Sequence, residues 1–273
     1  MKPFSSLFIL LAAASLLSCQ PAGSEKGPVR LMTYNVGAFG KELDDSAPMI
    51  ARMIAELGAG TVSLNELDSC NRRHPIDQVQ HLADELNAVS EEDAGRWQGC
   101  FGRAMAYAGG AYGCGIVSRE KIEDAFCIPL PKGEGSEPRV CVVVETPRYV
   151  FASCHLDHIG EDARLEQARV LTETLRQRYG NARKPVFLAG DFNDTPDSNL
   201  LGQLSRDWML LSPLEKSYSA KDPHVCIDYI FALHNGVRVA VLGGAVATAF
   251  SSGDVLTASD HLPVYVDIKP RRR

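Results

Sequence analysis

The residues of this 273-residue chain that could do chemistry together are acids, amides and histidines at the ends of apolar runs. Asn35 closes Leu31-Met32-Thr33-Tyr34, Glu66 follows the run from Thr61, His155 ends Tyr149 to Cys154, and Asp191 and Asn193 follow Pro185 to Ala189. Asp228 and the Asp260-His261 pair stand at or just before the start of later apolar runs. A carboxylate in such a position is costly to desolvate unless it is paired or binds a metal. Asp228, flanked by Ile227 and Tyr229-Ile230, is the acid most in need of a partner, and His261 is of the right type. The lack of CxxC pairs argues against a structural zinc site. Acids, amides and a histidine gathered in one pocket could hold a metal ion or move a proton. Each residue alone has a plainer reading: Asn35 as a turn residue, Glu66 as a solvated strand end, His155 as a core histidine, Gly190-Asp191-Phe192-Asn193 as an Asx turn. Only convergence would give them a common task.

Convergence depends on the elements that carry them. Val29 to Val36 and Thr61 to Leu67 read as strands, with a helix from Ala47 to Leu57 between them that ends at Gly58. A second helix runs from Ile76 to Val89, with Val79, Leu82, Leu86 and Val89 on one face. Short strands follow at Trp97 to Ala106, Gly113 to Ser118, Ala125 to Leu130, Val140 to Glu145 and Tyr149 to His155, the last two joined by a Thr146-Pro147-Arg148 turn. The clearest helix begins at Glu161-Asp162, presents Leu165, Ala168, Leu171 and Leu175, carries Arg176 and Arg178 late and ends at Gly180. Pro185 to Ala189, Ile227 to Leu233, Val237 to Val246 and Leu262 to Ile268 complete the strands. Strands that both alternate with helices and run consecutively predict mixed sheets covered by helices, an α/β or α+β fold in one domain. Such sheets gather ligands at the carboxyl ends of their strands, where Asn35, Glu66, His155 and Asp191 fall. Asp228, Asp260 and His261 would join that rim if their strands run antiparallel.

The composition, 45% hydrophobic and 23% charged, excludes a disordered or fibrous chain. A net charge of −6 argues against avid binding to nucleic acid, which depends on cationic contacts. Residues 1–18 read as a secretory signal: Lys2 supplies a charge and Phe4 to Leu17 an apolar stretch too short to span a bilayer. Leu16-Leu17-Ser18-Cys19 resembles the lipobox of bacterial lipoproteins, which implies acylation of Cys19 and anchorage to a membrane of the bacterial cell envelope, on its periplasmic or surface side. An ordinary secretion signal with an incidental cysteine is the competing reading. Residues 19–28, polar with two Pro and two Gly, form a tether, and 29–270 the folded domain. Seven further cysteines lack any pattern that assigns disulfides, although Cys141 and Cys154 would face each other across a hairpin.

As an ordered set, Tyr34-Asn35-Val36, Glu66, Gly113 to Arg119, His155-Leu156, Gly190-Asp191-Phe192-Asn193, Asp228 and Ser259-Asp260-His261 resemble the endonuclease/exonuclease/phosphatase superfamily of metal-dependent phosphoesterases. The resemblance runs from Thr33 to Val264. It implies a four-layered α/β sandwich, two mixed β-sheets face to face with helices outside. It also implies roles. Glu66 would be the principal ligand of Mg²⁺ or Mn²⁺, with Asn35 and Asp260 completing the metal side. Asp191 would align or deprotonate the attacking water. His261, oriented by Asp228, would serve as general base or polarise the phosphate, and Asn193 and His155 would hold phosphate oxygens. Cys114 departs from the family, which often has Asn there, and Asp194 has no assigned role. The expected activity is hydrolysis of a phosphodiester or phosphomonoester in a small molecule, lipid headgroup or nucleic acid fragment. A nuclease acting on extracellular DNA or RNA is the alternative, and a non-catalytic lipoprotein that binds a phosphorylated ligand a more distant one. Arg72, Arg73 and His74 are equally a solvated loop or a phosphate contact, and Arg164 and His158 read as structural or surface residues.

Overall fold

The computed structural model describes residues 27–90, 95–133 and 137–270, so the signal, Cys19 and most of the tether lie outside the described residues. Among the described residues, twelve strands form two six-stranded sheets. The first contains β1 (Val29–Asn35), β2 (Thr61–Ser69), β3 (Gln98–Tyr107), β4 (Gly110–Ser118), β11 (Val239–Val246) and β12 (Val264–Pro270), in the order β11-β12-β1-β2-β4-β3. The second contains β5 (Asp124–Pro129), β6 (Val140–Glu145), β7 (Val150–His155), β8 (Val186–Asp191), β9 (Trp208–Leu210) and β10 (Asp228–Leu233), in the order β5-β6-β7-β8-β10-β9. Each sheet is mixed: β1 and β2 are parallel, as are β7 and β8, and every other pair is antiparallel.

Helices cover both outer faces. Ile50 and Ile54 of α1 (Ala47–Leu57), Leu82 and Leu86 of α2 (Gln78–Val89) and Val255 of α5 (Val255–Ala258) pack on the first sheet. Leu171 and Leu175 of α3 (Glu161–Tyr179) and Leu200 of α4 (Asn199–Leu204) pack on the second. Between the sheets, Leu31, Ile116 and Val266 of one meet Val142, Phe151, Phe187 and Ile230 of the other. This is the expected four-layered sandwich of two mixed sheets. Buried hydroxyls bond one another across the two sheets: Ser63 bonds Ser153 at 2.7 Å, and Thr61 bonds Tyr149 at 2.8 Å.

Helix ends follow local chemistry. Asp77 accepts from the Gln80 N–H and so starts α2 two residues later than the apolar spacing predicts. Gly58 ends α1 in the left-handed conformation, φ 65°, returning its N–H to Ala55. In α3 the acids lie in the first turn and the arginines in the last, as the helix dipole favours. The register β6–β7 sets Cys141 opposite Cys154, as the hairpin predicts. Both are free thiols, and burial pushes both well above their ordinary pKa.

Candidate active site

The expected antiparallel geometry is observed. β10 runs antiparallel to β8 with Asp228 directly opposite Asp191, and His155, in the adjacent parallel strand, lies opposite Asp191 on its other side. From the first sheet, β1 brings Asn35 to the same rim, and the turn after α5 brings Asp260 and His261. One cavity of about 320 Å³ is lined by Glu66, His155, Asp191, Asn193, Asp260 and His261. Asn35 and Asp228 lie behind them, buried, and hold the lining residues in place.

Asp191 is the hub. One carboxylate oxygen accepts the Asn193 N–H at 2.9 Å, and the other accepts from the Asn35 amide at 3.1 Å. That second oxygen lies 3.6 Å from Nε2 of both His155 and His261. These separations exceed a hydrogen bond, so the two imidazoles and the carboxylate are aimed at common ground rather than locked to each other. Burial and the neighbouring Asp228 push the Asp191 carboxyl up to about 7, against the pull of His261.

The two histidines are held in opposite states. His261 turns Nδ1 to Asp228 at 2.9 Å, and Ser217 donates to the same oxygen at 2.6 Å. Burial disfavours its cation, but Asp228, Asp191 and Asp260 outweigh burial and raise it to about 9. His155 turns Nδ1 to the Arg139 guanidinium at 3.1 Å. Arginine only donates, so Nδ1 accepts and the ring proton sits on Nε2, facing the cavity. Burial first, then Arg139, keeps this histidine neutral. Arg139 also donates to His158 at 3.1 Å, which places His158 in the cavity wall while it stays exposed at the surface.

Glu66 is aimed by a bulge. Between Leu64 and Leu67 the register of β2 against β4 shifts, and Glu66 adopts φ 57°, a left-handed conformation unusual outside glycine. Asn65, fully buried just before it, ties the sheets together beneath the rim, donating to the Cys154 carbonyl at 2.8 Å and accepting the Asp191 N–H at 3.2 Å. Cys114 stands across from the bulge, buried, with its sulfur 3.6 Å from the Asn65 amide, and does not line the cavity. Asn193, at φ 52°, spends one amide proton on the Leu156 carbonyl. Asp194 accepts from Arg164 at 2.9 Å, a structural pair that gives both residues a role.

The donor set fits a hard cation. The Lys41 ammonium sits 3.4 Å from Glu66 and 3.1 Å from Asp260, so two carboxylates from distant parts of the chain already embrace a positive charge. Burial opposes the lysine cation, but these two acids hold its pKa above the ordinary value. Asn35 bridges Glu66 and Asp191, its amide donating to Glu66 at 3.0 Å and to Asp191 at 3.1 Å, while its carbonyl accepts the Gly37 N–H at 3.1 Å and keeps a second lone pair. Asp191, Asp228 and His261 also bring ligand atoms within 4.8 Å of one another. The Glu66–Asp260 pair is the better cation seat, because Asp228 and His261 are already committed to each other.

A model of the Endonuclease/Exonuclease/phosphatase family matches residues 32–261. The chain belongs to this family. Solved structures agree on the fold of the family: an endonuclease/exonuclease/phosphatase from Bacteroides vulgatus shares 18% identity at a TM-score of 0.69, covering 90% of this chain and 100% of that one. A mannosyl-6-phosphatase from Bacteroides thetaiotaomicron shares 20% at 0.68, covering 88% and 99%. The catalytic domain of human nocturnin, with bound sulfate, shares 18% at 0.67, covering 89% and 95%. No curated protein matches by sequence. Lys41, Tyr112, Arg139 and Tyr218 line the cavity and Asn65 braces it from beneath, residues that the sequence reading did not single out. Only Arg139 carried a signal, a charged residue directly before the apolar run of β6.

Of the Arg72-Arg73-His74 trio, Arg73 and His74 are fixed. Arg73 grips Asp68 through two bonds of 2.7 and 2.9 Å, and His74 bonds the same carboxylate at 2.6 Å. Asp68 is fully buried at the end of β2. Asp68→Asn should therefore lower unfolding stability by about 2 kcal/mol, a moderate figure because Arg73 is half exposed. Urea denaturation of the two proteins checks this, and an unchanged midpoint would show that the trio is an ordinary surface loop.

Proposed function

We propose that the protein is a Mg²⁺- or Mn²⁺-dependent phosphoesterase that hydrolyses a phosphodiester or phosphomonoester in a small molecule. The observation that carries this reading is the acceptor-and-donor ring around Asp191: one buried carboxylate with imidazole Nε2 atoms 3.6 Å away on two sides. Asp191 has the free acceptor needed to align a water and take its proton. His155, with its proton on Nε2, and the remaining amide proton of Asn193 donate to phosphate oxygens. His261, its Nδ1 held by Asp228, presents Nε2 to the same phosphate. The water oxygen bonds phosphorus as the ester oxygen leaves, and the site supplies a proton acceptor on one side and donors on the other. Glu66, Asp260 and Asn35 would hold the cation, which when bound neutralises charge on the phosphate and on the leaving oxygen.

A substrate panel with and without chelator tests the proposal. Bis-nitrophenyl phosphate, a hexose phosphate, a phospholipid and plasmid DNA cover the ester classes. Chelation should reduce turnover at least about 100-fold, with recovery on adding Mg²⁺ or Mn²⁺. Turnover indifferent to chelator would reject the metal assignment. Plasmid cleavage as the best activity would favour a nuclease, against which the net charge of −6 weighs.

We further propose export and anchorage at the bacterial cell envelope through an acylated Cys19, supported by the Leu16-Leu17-Ser18-Cys19 run. Labelling with a fatty-acid analogue should mark the wild type and fail on Cys19→Ser.

A further inference from the structure

A second cavity, of about 260 Å³, opens beside the first and shares Lys41, Glu66, Tyr112 and Glu137 with it. Its far walls are Arg73, His74 and Tyr107 on one side and the chain turn Gly37 to Gly40 on the other. That turn is held in place, since Gln78, buried in α2, donates to the Ala38 carbonyl at 2.6 Å and accepts the Asp68 N–H at 2.8 Å. Gln78 thus fastens the two walls to each other.

The charges of this cavity are already matched. Arg73 and His74 face the buried Asp68, Lys41 faces Glu66 and Asp260, and Glu137 faces Arg139 at 3.2 Å. Among the described residues no surplus positive charge remains here for a second phosphate or a nucleic acid backbone. What remains is hydrogen-bonding capacity at fixed points. Asp68 takes Nε and Nη2 of Arg73 and leaves Nη1. It takes Nδ1 of His74 and leaves Nε2 beside Gly40, where a Cβ would come within 3.5 Å of it. The Arg73 guanidinium lies 5.0 Å over the Tyr107 ring, and Tyr107 and Tyr112 stand 6.1 Å apart, so flat apolar faces border these donors and acceptors. The volume falls below the roughly 300–1,000 Å³ of sites for drug-sized ligands, which suits a single ring.

Resting on the phosphoesterase reading, we propose that this cavity seats the leaving group of the substrate and takes a neutral polyhydroxylated ring, a sugar that carries the scissile phosphate. The phosphate would lie in the first cavity, and the sugar would reach past Tyr112 to place hydroxyls on Arg73 and His74 and an apolar face against Tyr107. Sites built to pair hydroxyls discriminate strongly against partners that cannot supply them.

Steady-state kinetics with glucose 6-phosphate, mannose 6-phosphate, a nucleoside monophosphate and bis-nitrophenyl phosphate test this, in the metal-supplemented protein. A hexose phosphate should be the best substrate. Tyr107→Ala, at an exposed residue that shows no bond to Asp68, and Arg73→Lys should each raise its KM about tenfold while kcat moves far less. Free hexose should inhibit competitively, and more weakly in both variants. Hexose phosphate KM unmoved by both variants, or a preference for the nucleotide or the diester, would overturn the sugar site and leave the phosphoesterase reading standing. No hydrolysis of any ester with either metal would overturn both.

Discussion

Asp191→Asn should cost about 10³-fold or more in turnover while leaving the protein folded, and in metal-free buffer above neutral pH it should raise the unfolding midpoint. The amide keeps the shape, and its one oxygen can accept from either Asn193 or Asn35 but not from both, and it cannot take a proton from water. The stability gain follows from the environment of the carboxylate. Burial and Asp228 lift its pKa to about 7, so the folded state binds a proton that the unfolded chain, near 3.9, releases. Stability from this group is fully present below about pH 4 and is lost as pH rises toward 7. Asparagine has no such loss, so the two proteins should diverge over that window, with the variant more stable at pH 8. Chelator-treated protein followed through a pH series gives the comparison. A variant that turns over substrate normally would take the role of base from Asp191, and one that unfolds at lower temperature at pH 8 would show that the carboxylate stabilises the fold. Function bought at the expense of stability is common at buried catalytic acids.

The second large effect is on the backbone beneath that acid. Gly190 has φ 151°, and a Cβ added there would meet the Cys154 carbonyl oxygen at 1.8 Å and its carbon at 2.8 Å. Both obstacles are backbone atoms of β7, paired in register with Gly190 itself, so no side chain can swing aside. Gly190→Ala should cost about 4 kcal/mol or more, through strain and the forced separation of β7 from β8. Lost soluble yield, or a far lower midpoint in urea, would register it. Because His155 and Asp191 end these two strands, any folded remainder should also be inactive. A variant of near wild-type stability and activity would contradict the tight approach of the strands.

Much of the site was legible because burial constrains chemistry. An acid between Ile227 and Tyr229 had to find a partner, and it lies opposite Asp191 with His261 on its carboxylate. Strand ends carrying Asn35, Glu66, His155 and Asp191 were readable as a rim, since apolar runs in sheets of this class end where ligands gather. What escaped the sequence has short or non-periodic causes. β9 has three residues, α4 six and α5 four, all too few for a repeat to show. β4 starts at Gly110 rather than Gly113 because a tight hairpin brings Gly110 against the Ser69 and Cys70 carbonyls, where only a glycine fits. Lys41 reaches Glu66 from a turn with three successive positive φ values at Gly37, Ala38 and Phe39, a path that no alternation pattern encodes. Arg73 had even readings until Asp68 was seen to be buried, for a charged pair means different things on a surface and over an enclosed acid.

The closure of β12 onto β1 has a consequence for how the protein comes to life. Arg30 and Asp267, which clasp across that seam, are 237 positions apart, and the Ser259 hydroxyl reaches the Asn35 carbonyl at 2.6 Å from a comparable distance along the chain. Such remote pairings form late and slowly. A partly folded chain whose β12 has not yet docked on β1 holds Asn35 and Glu66 without Asp260 and His261 in place. Catalytic competence therefore arrives with the final strand, and regained turnover during refolding would time the fastening of that seam.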